Sequence, residues 1–418
     1  MSLIRSTRIA LGAGLVVLAA LFALLSPYAA HASKPKSPIL IGHIYTAGTP
    51  LLNEVGPLAS LSAGVRAIDA AGGVNGQPLK LDACNDSGDP NKSTSCAQKL
   101  VSDHVVATFA DISAGNADAV ATILAAAKIP QIDIIAASNT QFACATCYPV
   151  GALTIGYTAG TMQYFKRRGA TKVFIAGVNI PGLTQITQTY AVKAAQSQGL
   201  NVVGNSLQPP FVADWAPTAA QISASGAQYV WTFLFGADAI GLIHALEGIG
   251  YGGKVAVISA YTQTVMKALG PAANGNVISW GTNPPLSASR MLPGISMFLK
   301  QLAAELKAGD SNANLANIDI YSGPAWASLY AFVSLAKTLK SVTAASVLPA
   351  LKAQKKPLDM HGFASGGWAP GAPTGVPFPL ANAGPMTGYV MTLQQNNWAL
   401  VSNKSFNIAG VLKQMLGS

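Results

Sequence analysis

Two short stretches hold the residues best suited to receive a small ligand. Asp111-Ile112-Ser113-Ala114-Gly115-Asn116 interrupts the apolar run Val105-Val106-Ala107-Thr108-Phe109-Ala110, and Ala136-Ala137-Ser138-Asn139-Thr140 follows Pro130-Gln131-Ile132-Asp133-Ile134-Ile135. Both apolar runs have the length and composition of buried parallel strands. Behind the first turn Val120, Ile123, Leu124 and Ala127 recur at helical spacing, so the turn opens a helix whose first N–H groups have no helical acceptor. Together with a serine hydroxyl, such a terminus suits an anionic group. Ligands of open α/β sheets bind beyond the carboxyl ends of strands, and two such turns side by side make half a site. Either turn alone reads more simply as an ordinary loop with a capping serine.

No constellation in the chain assembles a reaction. His43, His104, His244 and His361 are scattered, and a triad built from them and a serine is arbitrary. Gly248-Ile249-Gly250-Tyr251-Gly252-Gly253 imitates a dinucleotide fingerprint but follows a helix and precedes a strand, the reverse of what phosphate cradling requires. It reads as a helix stop and turn, and neither a cofactor nor a metal is expected. Four cysteines remain. Sequence order favours Cys84–Cys96 and Cys144–Cys147 as disulfides, each worth roughly 2–3 kcal/mol by loop entropy. Cys144-Ala145-Thr146-Cys147 also has redox spacing, but extended chain follows at Tyr148-Pro149-Val150-Gly151 where that chemistry uses a helix N-terminus.

These turns need scaffolding, and the 418 residues exceed what one hydrophobic core serves, so two lobes are expected. Half the residues are apolar and a tenth charged, the balance of a packed globule rather than a disordered chain. The formal charge of +10 is diffuse: Lys166-Arg167-Arg168 sits at a helix end, Lys355-Lys356 is a lone pair, and no basic stripe points to nucleic acid. At the amino end Arg5 and Arg8 precede the apolar run Leu11 to Leu25, and Ala30-His31-Ala32 offers small residues where a signal peptidase reads. Residues 1–32 are therefore expected to be a signal peptide, leaving a periplasmic or secreted protein with no stable membrane insertion.

Strand and helix alternate along the rest. Pro38 to Ile44 and Leu79 to Cys84 read as strands around a helix carrying Leu58, Leu61, Val65 and Ile68 on one face and stopped at Gly72-Gly73. Asp89-Pro90 supplies an N-cap and a first-turn proline. Further strands are expected at Thr171–Val178, Leu200–Asn205, Val230–Phe235, Lys254–Ser259 and Asn276–Trp280, with helices between them. Helices follow over Met291–Ala308 and Pro324–Leu339, the second burying Trp326, Leu329, Phe332, Val333 and Ala336. Gly366 to Met386 is rich in glycine and proline, and Thr387–Leu393 with Trp398–Val401 closes the chain as paired strands.

Ala70-Ala71-Gly72-Gly73-Val74-Asn75-Gly76, then Asp86 through Asp89-Pro90, then Lys99-Leu100, resembles the amino-terminal signature of the Leu/Ile/Val-binding family of type I periplasmic binding proteins. The likeness continues more thinly over nearly the whole chain after the leader. It implies an α/β fold of two doubly wound parallel-sheet lobes joined by three hinge crossovers, here near Val150, Asn283 and Pro357. Residues 33–150 with 284–356 would form the amino-terminal lobe, and 151–283 with 357–418 the carboxyl-terminal lobe. The resemblance further implies a solute-binding protein of an ABC importer, closing on a small-molecule ligand and delivering it to an ABC transporter permease. A branched-chain amino acid binder, a sensor of the same fold and a secreted hydrolase are the alternatives.

By that resemblance Ser113 is the first of two small hydroxylated residues that hold a ligand carboxylate, the second being Ala114 here. Ser138 or Thr140 matches the threonine of the next turn, and Tyr45 an aromatic at the first strand end. Trp215, Phe235 and Tyr261 fall in or near terminal loops of the second lobe, where they either wall the cleft or fill the core. The family's acidic partner for a ligand ammonium has no match in Ser259-Ala260-Tyr261-Thr262, and Asp238, at a helix start, reads as a cap. An apolar or aromatic carboxylic acid is therefore expected rather than an ordinary amino acid. Intact-mass measurement of exported protein should find a chain beginning near Ser33; a retained leader would refute the cleavage.

Overall fold

Alternation of strand-forming and helix-forming stretches resolves into two sheets. The computed structural model describes residues 36–50, 52–151, 153–180, 183–258, 262–364, 367–376 and 383–417. The expected leader, its cleavage after Ala32, and Tyr261 lie outside the described residues. The first sheet contains β1 (Ile39–Tyr45), β2 (Leu79–Asn85), β3 (Thr108–Phe109), β4 (Gln131–Ile132) and β5 (Cys147–Tyr148). All five are parallel, in the order β2-β1-β3-β4-β5. Helices α1 (Val55–Ala70), α2 (Pro90–Ser102), α3 (Ala117–Ala126) and α4 (Asn139–Ala143) make the connections.

After Val150 the chain enters α5 (Leu153–Arg167), β6 (Lys172–Val178), a π-helical turn at Ile186–Ala191 running into α6 (Val192–Ser197), and β7 (Asn201–Gln208). Then come α7 (Ala216–Ala224), β8 (Tyr229–Phe233), α8 (Gly236–Gly248), β9 (Lys254–Ala256), α9 (Gln263–Ala268) and β10 (Val277–Gly281). Their order, β7-β6-β8-β9-β10, repeats that of the first sheet. Helices α10 (Pro293–Lys307), α11 (Ser322–Ala336) and α12 (Ala344–Ala353) follow. The chain then adds β11 (Thr387–Gln394) antiparallel to β10, β12 (Asn397–Leu400) antiparallel to β11, a short β13 (Phe406–Asn407), and α13 (Ala409–Leu416). The expected closing strand pair is thus formed. Among the described residues no helix is long and apolar enough to cross a membrane.

The first core is completed by segments distant in sequence. Helix α11 is apolar on nearly every side and is buried accordingly, with Trp326, Leu329, Phe332, Val333 and Ala336 all inside. Gly64 of α1 lies beneath it, and a Cβ there would meet Leu329 Cδ2 at 2.9 Å, so glycine permits the close helix approach. The Trp326 ring packs among Phe298, Tyr330 and Phe363, and its Nε1–H donates to Gln301 Oε1 at 2.6 Å. Arg66 of α1 reaches Glu305 of α10 at 2.5 Å. Leu358, Met360, Phe363 and Trp368 belong to this same core, so the chain is still there beyond Pro357, where the third crossover was expected.

Both expected disulfides are present, Cys84–Cys96 between β2 and α2 with Cα atoms 5.6 Å apart, and Cys144–Cys147 at 5.2 Å. Asp89 caps α2 as expected, accepting from the N–H groups of Asn91 and Lys92. Trp326→Ala should lower unfolding free energy by about 3–5 kcal/mol, the cost of emptying a core aromatic site. Urea denaturation is the measurement, and a loss under about 1 kcal/mol would show that α11 does not anchor the first lobe.

Candidate functional site

Loops leaving the carboxyl ends of β1, β3 and β4, and of β6, β8 and β9, line one cavity of about 550 Å³. Both sheets have their strand order reversing between the first and third strands of the set, and the cavity lies at these switch points. Leu52, Ile112, Ile135, Leu183, Phe233 and Phe235 give it an apolar wall, and Ser113, Ala114 and Ser138 line it too. Tyr190 Oη–H donates to Asn139 Oδ1 at 2.9 Å, a bond between the β6 connection and the β4 turn.

The β3 turn is held by one buried carboxylate. Asp86 Oδ1 accepts from Thr46 Oγ1 at 2.6 Å and from the Gly88 N–H at 2.9 Å, while Oδ2 accepts from Ser93 Oγ at 2.9 Å and from the Ser113 hydroxyl. Thr46 Oγ1 accepts in turn from the Ala114 N–H at 2.8 Å, and Ser93 Oγ from the Asn116 N–H at 3.1 Å. The Ser113 hydroxyl therefore gives its proton to Asp86 rather than offering it to the cavity. The N–H groups still without a helical acceptor are those of Ala117 and Asp118, at the start of α3.

The β4 turn is satisfied from within. Ser138 caps α4 in a capping box with Gln141, whose Oε1 accepts from the N–H groups of Ala137 at 2.8 Å and Ser138 at 3.2 Å. The Ser138 hydroxyl donates to Asp118. The N–H groups of Ala137 and Ser138 are thus met inside the turn by Gln141. Thr140 is exposed and off the cavity wall.

The aromatics divide. Phe235 is on the wall, edge-on to Phe233 with ring centres 5.6 Å apart. Trp215 is not: it is buried against Gly241 and fills the second core, because a ring at a helix start can turn inward as readily as outward. Tyr45 stacks on His43 at 5.1 Å and also lies outside the cavity lining. Asp238 does not cap α8; its buried carboxylate accepts from the N–H groups of Phe211 at 3.0 Å and Val212 at 2.9 Å.

Carboxyls absent from the sequence reading reach the wall: Glu54 just before α1, Asp118 in α3, and Asp319 before α11. Burial pushes Glu54 well above the usual range and raises Asp319, and the two hydrogen-bond each other, which requires a shared proton. Three carboxyls thus line the cavity from segments other than the 259–262 turn and Asp238. Asp319 had no local signal, since its segment shows neither helical nor strand periodicity.

Two sheets of order 2-1-3-4-5 with a cavity between their strand ends make the architecture of a type I binding protein. The family model described as Periplasmic binding protein matches residues 38–377, and the chain belongs to that family. Among solved structures, a possible leucine/isoleucine/valine-binding protein from Rhodopirellula baltica SH 1 is 13% identical with TM-score 0.73, covering 89% of this chain and 98% of that one. The solute-binding protein of an ABC transporter from Rhodopseudomonas palustris HaA2, in complex with p-hydroxybenzoic acid, is 20% identical with TM-score 0.72, covering 90% and 98%. A fatty acid ABC transporter substrate-binding protein from Thermomonospora curvata is 15% identical with TM-score 0.71, covering 90% and 94%. A search of curated proteins found no match.

Beneath the β3 turn lie two buried groups of opposite habit. Asp111 accepts from the Ile44 N–H at 2.8 Å and from the Thr108 hydroxyl, yet burial raises its pKa to about 7. His43 Nδ1–H donates to the Phe109 carbonyl at 2.8 Å, and burial lowers its pKa to about 4. With an unfolded value near 3.9, Asp111 contributes stability that is full below about pH 4 and lost as pH rises through 7. With an unfolded value near 6.5, His43 acts oppositely, and its contribution is lost as pH falls from about 6.5 to 4. Asp111→Asn should remove the first term, so stability should fall on acidification more steeply than in the parent by up to about 1.4 kcal/mol per pH unit. Denaturation series from pH 4 to 7 giving parallel profiles for the two proteins would refute it.

Proposed function

We propose that this protein is the solute-binding component of an ABC importer, working outside the cytoplasm after loss of residues 1–32 and handing its ligand to a permease. The observation that carries the reading is the cavity of about 550 Å³ bounded by strand ends of both sheets. A ligand there touches both lobes only when they are closed, so binding shifts the population toward closure. We assign residues 38–150 with 284–368 to one lobe and 151–283 with 383–417 to the other, because Leu358, Met360, Phe363 and Trp368 bury with the first core and Ala383 with the second.

The ligand class we infer is a small aromatic or aliphatic acid. The volume lies within the range of small-molecule sites, and the apolar residues of the wall suit a ring or a short chain. Among the described lining residues there is no lysine, arginine or histidine, so an acid group is held by neutral donors, the first N–H groups of α3 foremost. The p-hydroxybenzoic acid complex and the fatty acid binder among the structural relatives agree with this choice. A second reading, a branched-chain amino acid, is favoured by Glu54, Asp118 and Asp319, any of which can face an ammonium. A buried ammonium needs such a partner.

A thermal-shift panel of benzoate, 4-hydroxybenzoate, short fatty acids, leucine and valine separates the two. A ligand at a hundred times its Kd adds about 2.7 kcal/mol. Stabilisation by one or more acids is the expected result, and stabilisation by leucine or valine alone would replace it with the second reading.

A further inference from the structure

We propose that a small side cavity walled by Asp133 and Asn283 receives a hydroxyl group carried by the ligand at the end remote from its acid group. The inference rests on the reading of the ligand as an acid. The side cavity measures about 50 Å³ and shares Ile135, Thr154 and Tyr321 with the larger one, so the two adjoin. On this measure one water needs about 10–15 Å³, so the space takes a polar group of a few non-hydrogen atoms.

Its polar lining is incomplete. Asp133 is 1% exposed and Asn283 9%, and the Oδ1 atom of each is buried without a hydrogen-bond partner in the protein. A buried acceptor left so costs about 1–3 kcal/mol, so each calls for a donor from outside the chain. Both positions are fixed by the fold. Asp133 follows β4 with φ 57°, a left-handed conformation that aspartate tolerates, and its N–H donates to the Tyr148 carbonyl at 2.8 Å. Asn283 follows β10 where the chain leaves the second sheet.

The chemistry of the missing group follows. Two acceptors ask for a donor. Burial pushes the Asp133 carboxyl well above its usual range, against a hydrogen bond from the Val150 backbone, which works against a fixed negative charge on this wall. No other ionisable carboxylate or base lines this space among the described residues. A neutral hydroxyl fits: it donates to one of the two Oδ1 atoms.

The test is calorimetric, with benzoate and 4-hydroxybenzoate against the parent, Asp133→Ala and Asn283→Ala. The parent should bind the hydroxylated acid about tenfold tighter, the value of one such hydrogen bond, and the ratio should fall within about threefold in either variant. Equal affinities in the parent would overturn the subsite and leave its space to water. A tenfold ratio that persists in both variants would place the hydroxyl elsewhere and overturn it too. Binding of neither acid, with leucine stabilising the protein in the panel above, would overturn the acid reading and the subsite with it. Because the readout is a ratio within each protein, a general loosening of one variant does not mimic the effect.

Discussion

The architecture of the first half of the site depends on one buried carboxylate. Asp86 draws hydrogen bonds from the β1 loop, its own loop, the first turn of α2 and the β3 turn, so four segments meet at two oxygen atoms. Taking a carboxylate out of water is tolerated only when its lone pairs are met in this way. Each hydroxyl that serves it passes the constraint on, Thr46 to the Ala114 N–H and Ser93 to the Asn116 N–H. The turn that shapes the cavity wall is therefore positioned by polar bonds behind it rather than by packing.

That arrangement explains what could be read from residues alone. Strand ends, the Asp89 cap, the glycine stops and the buried face of α11 are local properties, carried by spacing of apolar residues and by single side chains bonding their neighbours. The partners of Ser113 and Ser138 are not local. A serine in a strand-end turn looks the same whether its proton goes to a ligand, to Asp86 from the preceding strand, or to Asp118 twenty residues earlier. Glu54 and Asp319 come together from opposite ends of the first lobe, a pairing with no trace in either segment. Trp215 and Tyr45 show the same limit for aromatics, since loop position does not say which way a ring faces.

The two sheets are repeats in order but not in finish. The first ends at β5, whereas the second continues into two antiparallel strands, β11 and β12, placed against β10. Asp133 and Asn283, which bound the small side cavity, follow β4 and β10, one strand from each sheet.

All four cysteines fall between Cys84 and Cys147, inside the first sheet's share of the chain, and the rest of the sequence has none. That sheet is also the one whose core waits for α10 and α11, which are synthesised only after the five parallel strands β6 to β10 of the second sheet. During that interval β1 to β5 exist without Trp326, Leu329 or Phe332 to cover them. In an oxidising compartment the two bridges can form early, because each joins residues close in sequence. They are then covalent ties for an unfinished half, and their greatest use falls while the chain is still arriving rather than in the completed molecule.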